Sequence, residues 1–303
     1  MSRMVRIIPR LDIKGPNLVK GIQFDGYRVL GTAEWFAEVY YREGADELIY
    51  QDAVASLYRR NSLTEIIKKT SEKIFIPLTV AGGIRSVDDI RSILRSGADK
   101  VAINTAATEN PKLLAEAVKL FGSQCIVSSI EAFRRQDGKW QIWVDYGRQP
   151  TDLDAIEWAK RVIDLGVGEI LLTSINREGM GNGYDLELTE IVSSLSPIPV
   201  IVCGGAGNRD HFVNVIKDAH ADAVAAASVF HYSYAAPVSK AFMSYEEARL
   251  RMGEHIDSGN IDFLNHGYGG QRAITVDPAN ILEIKQHLKS HGINVRISSD
   301  TRQ

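Results

Sequence analysis

Short apolar runs alternate along this chain with longer stretches whose apolar residues recur every three or four positions. Runs at 5–11, 46–52, 76–81, 100–103, 125–130, 168–174, 199–203 and 223–227 predict buried strands. The stretches 32–43, 61–73, 86–96, 110–121, 152–165, 185–195 and 208–219 carry helical spacing, as in Ile90, Ile93 and Leu94. A last amphipathic helix is expected over 278–291. Strands alternating with helices in this number suit a (β/α)8 TIM barrel. An open doubly wound sheet explains the alternation equally well, so a second observation has to separate the two.

That observation is an internal duplication. Residues 77–107 read PLTVAGGIRSVDDIRSILRSGADKVAINTAA, and residues 199–230 read PVIVCGGAGNRDHFVNVIKDAHADAVAAASVF. Pro77 matches Pro199, Gly82-Gly83 matches Gly204-Gly205, and after a one-residue slip Ala98-Asp99 matches Ala221-Asp222. Further upstream, Gly44 and Glu47 recur as Gly166 and Glu169. Two half-barrels close naturally on each other, whereas two half-sheets need not. The expected architecture is therefore an α/β chain forming one (β/α)8 barrel domain over 1–303, built from two repeated half-barrels.

Two segments break the rhythm. Residues 13–31 carry four glycines and a proline between the first strand and the first helix. A loop of that length is expected to be either mobile and functional or disordered. Residues 232–277 form an insertion after the eighth strand, with a helix-like run (PVSKAFMSYEEARLRMGEHI) followed by a loop. Following strand eight, it is expected near the C-terminal, catalytic face, as a lid, a partner contact or a surface excursion.

Composition narrows the class. The chain has 303 residues and is 45% hydrophobic, enough for a sizeable core. It lacks an apolar run of about 18 residues, so no membrane span is expected. The N-terminus MSRMVRIIPRLDIKG is not read as a secretory signal. Cys125 and Cys203 are the only cysteines, both within apolar runs, and are expected as buried thiols in a reducing cytoplasm. A net charge of −3 with interspersed signs gives neither a nucleic-acid patch nor a membrane surface. No metal or organic cofactor is expected.

Chemistry in such a barrel gathers at the C-terminal strand ends. Gly82-Gly83 close strand three and Asn104-Thr105 close strand four; Gly204-Gly205 and Gly207 close strand seven, and Ala227-Ser228 close strand eight. Small turns leading into helix starts can bind anions through backbone N–H groups. Their repetition suggests two phosphate sites across one pocket, though glycines also simply turn a chain. Asp12 follows strand one and Glu131 follows strand five, at equivalent positions on opposite sides of the mouth. They suit a general acid and base pair, or alternatively capping groups for loop amides. Asp52 and Asn176 close strands two and six and are expected to line the same pocket. At the opposite mouth Arg6, Glu47, Lys100 and Glu169 open strands one, two, four and six. Those four charges serve either as a stabilising plug or as a gate for something small.

These residues resemble the cyclase subunit of imidazole glycerol phosphate synthase, the lyase half of a glutamine amidotransferase. The likeness covers about 5–231 and resumes at 281–296. It is carried by RLDIK, LVKG, GADELI, GADKVAINTAA, NPKLL, FGSQ, GEILLTSINREG, GYD, CGGAG and AASVFH. The resemblance implies a separate glutaminase subunit docked on the N-terminal face, delivering ammonia through the barrel. Ammonia would meet N'-phosphoribulosyl-formimino-AICAR phosphate, giving imidazole glycerol phosphate and an aminoimidazole carboxamide ribotide in histidine biosynthesis. It implies an ammonia gate at Arg6, Glu47, Lys100 and Glu169, and a flexible-loop lysine at Lys20. The implied phosphate sites are Gly83, Asn104 and Thr105, and Gly205, Ala227 and Ser228. The implied acid/base pair is Asp12 with the position of Glu131.

The chain also departs from that pattern. Glu131 stands where the family has aspartate, and a shift of about 1 Å can cost about a hundredfold in rate when geometry is tight. Arg10 replaces a small residue, Asn176 and Glu178 replace two aspartates, and the 232–277 insertion has no counterpart. These changes cluster at the acceptor face. They leave open a second acceptor, a nucleotide sugar amidated for surface-polysaccharide synthesis, and a third reading as a bare ammonia conduit. Retention of both carboxylates and Lys20 speaks against the conduit.

Overall fold

The computed structural model describes residues 4–55, 63–235 and 276–297. Its eight parallel strands are β1 (Arg6–Lys14), β4 (Leu48–Asp52), β5 (Leu78–Ala81), β6 (Lys100–Ile103), β7 (Ile126–Arg134), β10 (Glu169–Ser174), β11 (Val200–Cys203) and β12 (Ala223–Ala226). They pair in that order. The ring closes where β1 pairs β12, with Ile8 opposite Ala225, and is continuous through β7 and β10, with Glu131 opposite Thr173. The barrel expectation holds, and the open sheet is excluded.

Helices follow the strands around the outside. They are α1 (Ala33–Arg42), α2 (Thr64–Ser71), α3 (Val87–Arg95), α4 (Thr105–Glu109), α5 (Lys112–Phe121), α6 (Ala155–Asp164), α7 (Leu186–Leu195), α8 (Arg209–Lys217), α9 (Ser228–Ala235) and α10 (Ile281–Ser290). Five of them begin at a side-chain cap. Ser86, Asp154, Asp185, Asn208 and Asn280 accept amide hydrogens of the first turn of α3, α6, α7, α8 and α10. The large core lies between barrel and helices, where Ile7, Leu48, Val80 and Val101 meet Phe36, Ile67, Ile93 and Leu114.

Inside the barrel the two-residue period sorts the strands into layers. On β1 it stacks Arg6, Ile8, Arg10 and Asp12 on one face. Ile8, Ile49, Ala81, Ala102, Val127, Leu171, Ile201, Cys203, Ala223 and Ala225 form a separate buried cluster in the barrel interior. Charged residues bracket this apolar middle at both ends.

The duplication has a structural meaning beyond the turns. Asp99 accepts the N–H of Leu78 at 2.8 Å, and its repeat Asp222 accepts the N–H of Val200 at 2.7 Å. The repeated Ala-Asp thus pins each helix-to-strand loop to the start of the preceding strand. Gly82 and Gly204 also match: φ is +95° and +94°, and a Cβ on either would sit 2.7–2.8 Å from the carbonyl oxygen ending the previous strand, at Asp52 or Ser174. Here glycine is required by both conformation and space.

Two expectations change. Residues 13–31 are not an irregular loop: β2 (Asn17–Ile22) and β3 (Asp25–Thr32) form an antiparallel hairpin that extends β1, with Asp12 opposite Val19. The second half carries its own hairpin, β8 (Trp140–Val144) and β9 (Gln149–Asp154), which extends β7. Residues 152–154, expected to start a helix, end β9, and the helix begins one residue after the Asp154 cap. Cys125 is half-buried rather than buried, while Cys203 is buried; both are free. Of the expected insertion, residues 232–235 continue α9, and 276–277 return toward the barrel, where the Asp277 N–H donates to the Gly207 carbonyl. Residues 236–275, with the expected helix-like run and loop, lie outside the described residues.

Candidate active site

The four charges expected at the N-terminal mouth meet as a closed ring. Arg6 Nη1 lies 2.7 Å from Glu47 Oε2, and Arg6 Nη2 lies 2.9 Å from Glu169 Oε1. Lys100 Nζ lies 2.7 Å from Glu47 Oε1 and 2.8 Å from Glu169 Oε2. Each cation touches both anions, and Thr79 donates a further hydrogen bond to Glu47 at 3.0 Å. Above this ring lies the apolar interior, whose small residues Ala81, Ala102, Ala223 and Ala225 keep it from being filled by branched side chains alone.

At the C-terminal mouth the structure joins Asp12 and Lys20, as expected. Asp12 Oδ1 accepts from Arg10 Nε at 3.0 Å, and Asp12 Oδ2 faces Lys20 Nζ at 3.7 Å. Lys20, buried on β2, is also ion-paired with Glu178. Burial would lower its ammonium, but Glu178 and Asp12 overcome this and hold it above the ordinary lysine value. Glu131 Oε2 accepts the N–H of Gly147 at 2.8 Å. Burial pushes the Glu131 carboxyl up to about 7, against the pull of Arg10 and that amide.

Both hairpins lean over this mouth. Phe24 and Tyr146 stand at their tips with ring centroids 4.3 Å apart. Gln23, Phe24, Asp145 and Tyr146 all have positive φ, between 49° and 62°, although none is glycine. Such strained backbone persists only where its surroundings over-determine it. The Gln23 N–H donates to the Glu178 carbonyl at 2.9 Å, which anchors the first tip to the loop after β10.

A cavity of about 410 Å³ opens beside the hairpin tips. Gln51, Asp52, Gly82, Gly83, Asn104 and Thr105 line it together with Glu131, Asp145 and Tyr146. The first-half turns expected to bind phosphate are thus brought together and half-exposed, with the start of α4 at Thr105. Their second-half counterparts are not part of that cavity. Gly205, Ala227 and Ser228 are all buried. The Gly183 N–H donates to the Gly205 carbonyl at 2.8 Å, and the Asp277 N–H donates to that of Gly207 at 2.7 Å. The loop after β10 and the segment entering α10 therefore cover the second set of turns.

Asn176 is also not brought to the cavity. Its side chain exchanges hydrogen bonds with the Arg134 backbone, and it lines a surface depression with Arg135 and Asn182. The residue that does reach the site from this loop is Glu178, two positions on, because the turn at 175–178 rotates Asn176 outward. Sequence reasoning also missed Tyr146 and Asp145, which arrive through the unassigned β8–β9 hairpin. Among the described residues one group has a divalent-metal donor set: Asp210, His287 and His291, on the outer faces of α8 and α10 and outside this cavity. No described helix is long and apolar enough to cross a membrane.

The histidine biosynthesis protein family model matches residues 6–235, which covers all eight barrel strands. The chain belongs to the histidine biosynthesis protein family. Within it, this histidine biosynthesis protein is similar to the protein named imidazole glycerol phosphate synthase subunit HisF from Legionella pneumophila. The two are 57% identical over 208 residues, spanning 69% of this chain and 98% of the relative. The same-named subunit of Bacillus cereus (strain G9842) is 50% identical over 230 residues, 76% of this chain and 91% of its own length. That of Methanopyrus kandleri is 48% identical over 250 residues, 77% of this chain and 92% of its own length.

Proposed function

We propose that the chain is the cyclase subunit of imidazole glycerol phosphate synthase, an enzyme of histidine biosynthesis. One arrangement carries this reading: a closed charged ring, an apolar interior and a carboxyl-lined cavity are stacked along the inward faces of the same strands. Ammonia is small and, in its neutral form, tolerates an apolar passage that excludes ions. A glutaminase subunit docked on the N-terminal face would release ammonia at the ring of Arg6, Glu47, Lys100 and Glu169. Parting one ion pair of that ring admits it to the interior.

At the far end the substrate N'-phosphoribulosyl-formimino-AICAR phosphate is held by its phosphates, one at Gly83, Asn104 and Thr105. The other goes to Gly205, Ala227 and Ser228, once the loop after β10 moves aside. Ammonia condenses with the ribulosyl carbonyl of the bound bisphosphate and water leaves. The resulting imine nitrogen closes the imidazole ring as the C–N bond to the carboxamide ribotide breaks, giving imidazole glycerol phosphate and the ribotide. The chemistry needs proton transfers on both sides of the new bonds, and Asp12, Lys20 and Glu131 supply the ionisable groups. A carboxyl titrating near neutrality, as Glu131 does, is matched to that task. The test is turnover of the bisphosphate with an ammonium salt at alkaline pH, followed by loss of its absorbance. Absence of turnover, with no rise in melting temperature on adding the substrate, sinks this reading.

One observation favours a second acceptor. Arg10 stands at the mouth while the second cradle is covered, so a single anionic end fits the open cavity as found. A nucleotide sugar amidated by channelled ammonia is the alternative, and it predicts a melting-temperature rise with nucleotide sugars in place of the bisphosphate.

A further inference from the structure

Asp12 and Glu131 occupy equivalent places in the two half-barrels, yet their surroundings differ. Asp12 is not in the cavity wall: one oxygen accepts from Arg10 and the other faces Lys20. Glu131 is in the cavity wall and forms no ion pair among the described residues. The residue that creates the difference is Arg10, which has no match in the second half. On β7 the inward positions ahead of Glu131 are Val127 and Ser129, both small.

Arg10 is 1% exposed, an unusual setting for a guanidinium. Cys203, in the barrel interior, is a small neighbour that makes room for it. Its Nε bonds Asp12, Nη1 lies 3.5 Å from Cys203 Sγ, and Nη2 lies 3.4 Å from Tyr146 Oη. Its Cζ also stands 5.3 Å from the Phe24 ring centroid and 5.7 Å from that of Tyr146. One side chain of β1 therefore reaches strand β11 and both hairpin tips. Among the described residues, only its bond to Asp12 joins it to a full negative charge.

We infer that Arg10 is a positioning residue: it commits Asp12 to a fixed ion pair and leaves Glu131 as the carboxyl that exchanges protons with bound substrate. This rests on the functional reading above and adds a division of labour between its two carboxylates. The groups around Glu131 are Arg10 and Asp12 from β1, Asn104 beyond β6, and the Gly147 N–H beside Tyr146. Asp52, Arg85, Glu109 and Asp145 line the rest of the same cavity. Among these, Arg10 is the cation that opposes the effect of burial on Glu131. The longer side chain of Glu131 also fits this view, since it lets the carboxyl reach the Gly147 amide of the hairpin as well as the cavity.

The test needs no turnover. Glutamate labelled with 13C at Cδ reports the Glu131 carboxyl, assigned by its loss in Glu131→Gln. In the unmodified protein it titrates near 7. In Arg10→Met it moves at least about one unit higher, and in Arg10→Lys it moves less. With ammonium and the bisphosphate, the limb of the pH–rate profile set by Glu131 shifts upward by the same amount and vanishes in Glu131→Gln. An Arg10 that merely supports the fold would lower the rate at every pH and leave both midpoints in place; that result overturns the inference. If Arg10→Met does not fold, an unchanged midpoint in folded Arg10→Lys overturns it equally. If the unmodified protein turns over no bisphosphate while Glu131 still shifts, the functional reading fails and the Arg10 effect stands.

Discussion

Lys100 Nζ lies 2.7 Å from Glu47 Oε1 while Glu47, 1% exposed, also binds Arg6, so one buried carboxylate joins both cations of the N-terminal ring. Removing the lysine leaves Glu47 with Arg6 and the Thr79 hydroxyl as its partners in a poorly solvated place. Lys100→Met is expected to cost about 1–3 kcal/mol in urea unfolding, the range for stranding a buried polar partner. It also opens the ring permanently. Turnover with added ammonium should persist, while turnover with glutamine and a glutaminase should fall relative to glutamine hydrolysis. Unchanged coupling between hydrolysis and product would show that the ring is only a plug.

Asp12→Asn should reduce ammonium-dependent turnover by at least about a hundredfold, the lower range for a proton-transfer or charge-stabilising group. The substitution keeps shape but strips the negative charge between Arg10 and Lys20. Lys20 then keeps its ion pair with Glu178, while Arg10 loses the anion it touches. A lower melting temperature with unchanged far-UV circular dichroism is expected beside the lost activity. Survival of activity would remove Asp12 from the chemistry.

Much of this architecture was readable in the residues, for physical reasons that also mark where reading stops. Strands buried on both faces appear as apolar runs, and the repeat signals closure, so six of the eight barrel strands emerge within two residues of their bounds. Strands β1 and β7 run three and four residues farther, into their hairpins. The ring was legible because Arg6, Glu47, Lys100 and Glu169 each open a strand, and strand ends converge in a barrel. Hairpin β2–β3 was hidden because its glycines read as loop, although LVKGI and YRVLG are long enough to pair. Hairpin β8–β9 was hidden by its short strands between two stronger signals, and Tyr146 was lost with it. Arg10 was visible as an oddity, but its partners Cys203 and Tyr146 lie far away in sequence, where no periodicity points.

The covering of the second cradle is testable at Gly205. Its φ is +112°, and a Cβ there would stand 2.1 Å from the Gly183 carbonyl oxygen. Gly205→Ala must push the loop after β10 away or strain the turn, at a cost of about 1–3 kcal/mol. It should weaken binding of the bisphosphate in a thermal-shift titration and leave inorganic phosphate at the first cradle unaffected. Equal loss for both ligands would mean that the two sites are not independent.

His231 contributes a pH dependence to stability. It is fully buried on α9, with Nδ1 2.6 Å from Tyr40 Oη. Burial, and then the nearby Lys20 charge, lower its folded pKa to about 3 from an ordinary 6.5. Between those values the unfolded chain binds the extra proton and the native state does not. The contribution of this group therefore falls as pH drops below about 6.5, by up to about 1.4 kcal/mol per unit. The raised carboxyls of Glu131 and Glu43 contribute with the opposite sign over the same range, so the variant comparison isolates the histidine. His231→Asn keeps an acceptor toward Tyr40 and removes the titration. Urea unfolding at pH 7.5, 6.0 and 5.0 should show a shallower loss in the variant than in the unmodified chain. Parallel losses in the two proteins would place the acid sensitivity elsewhere.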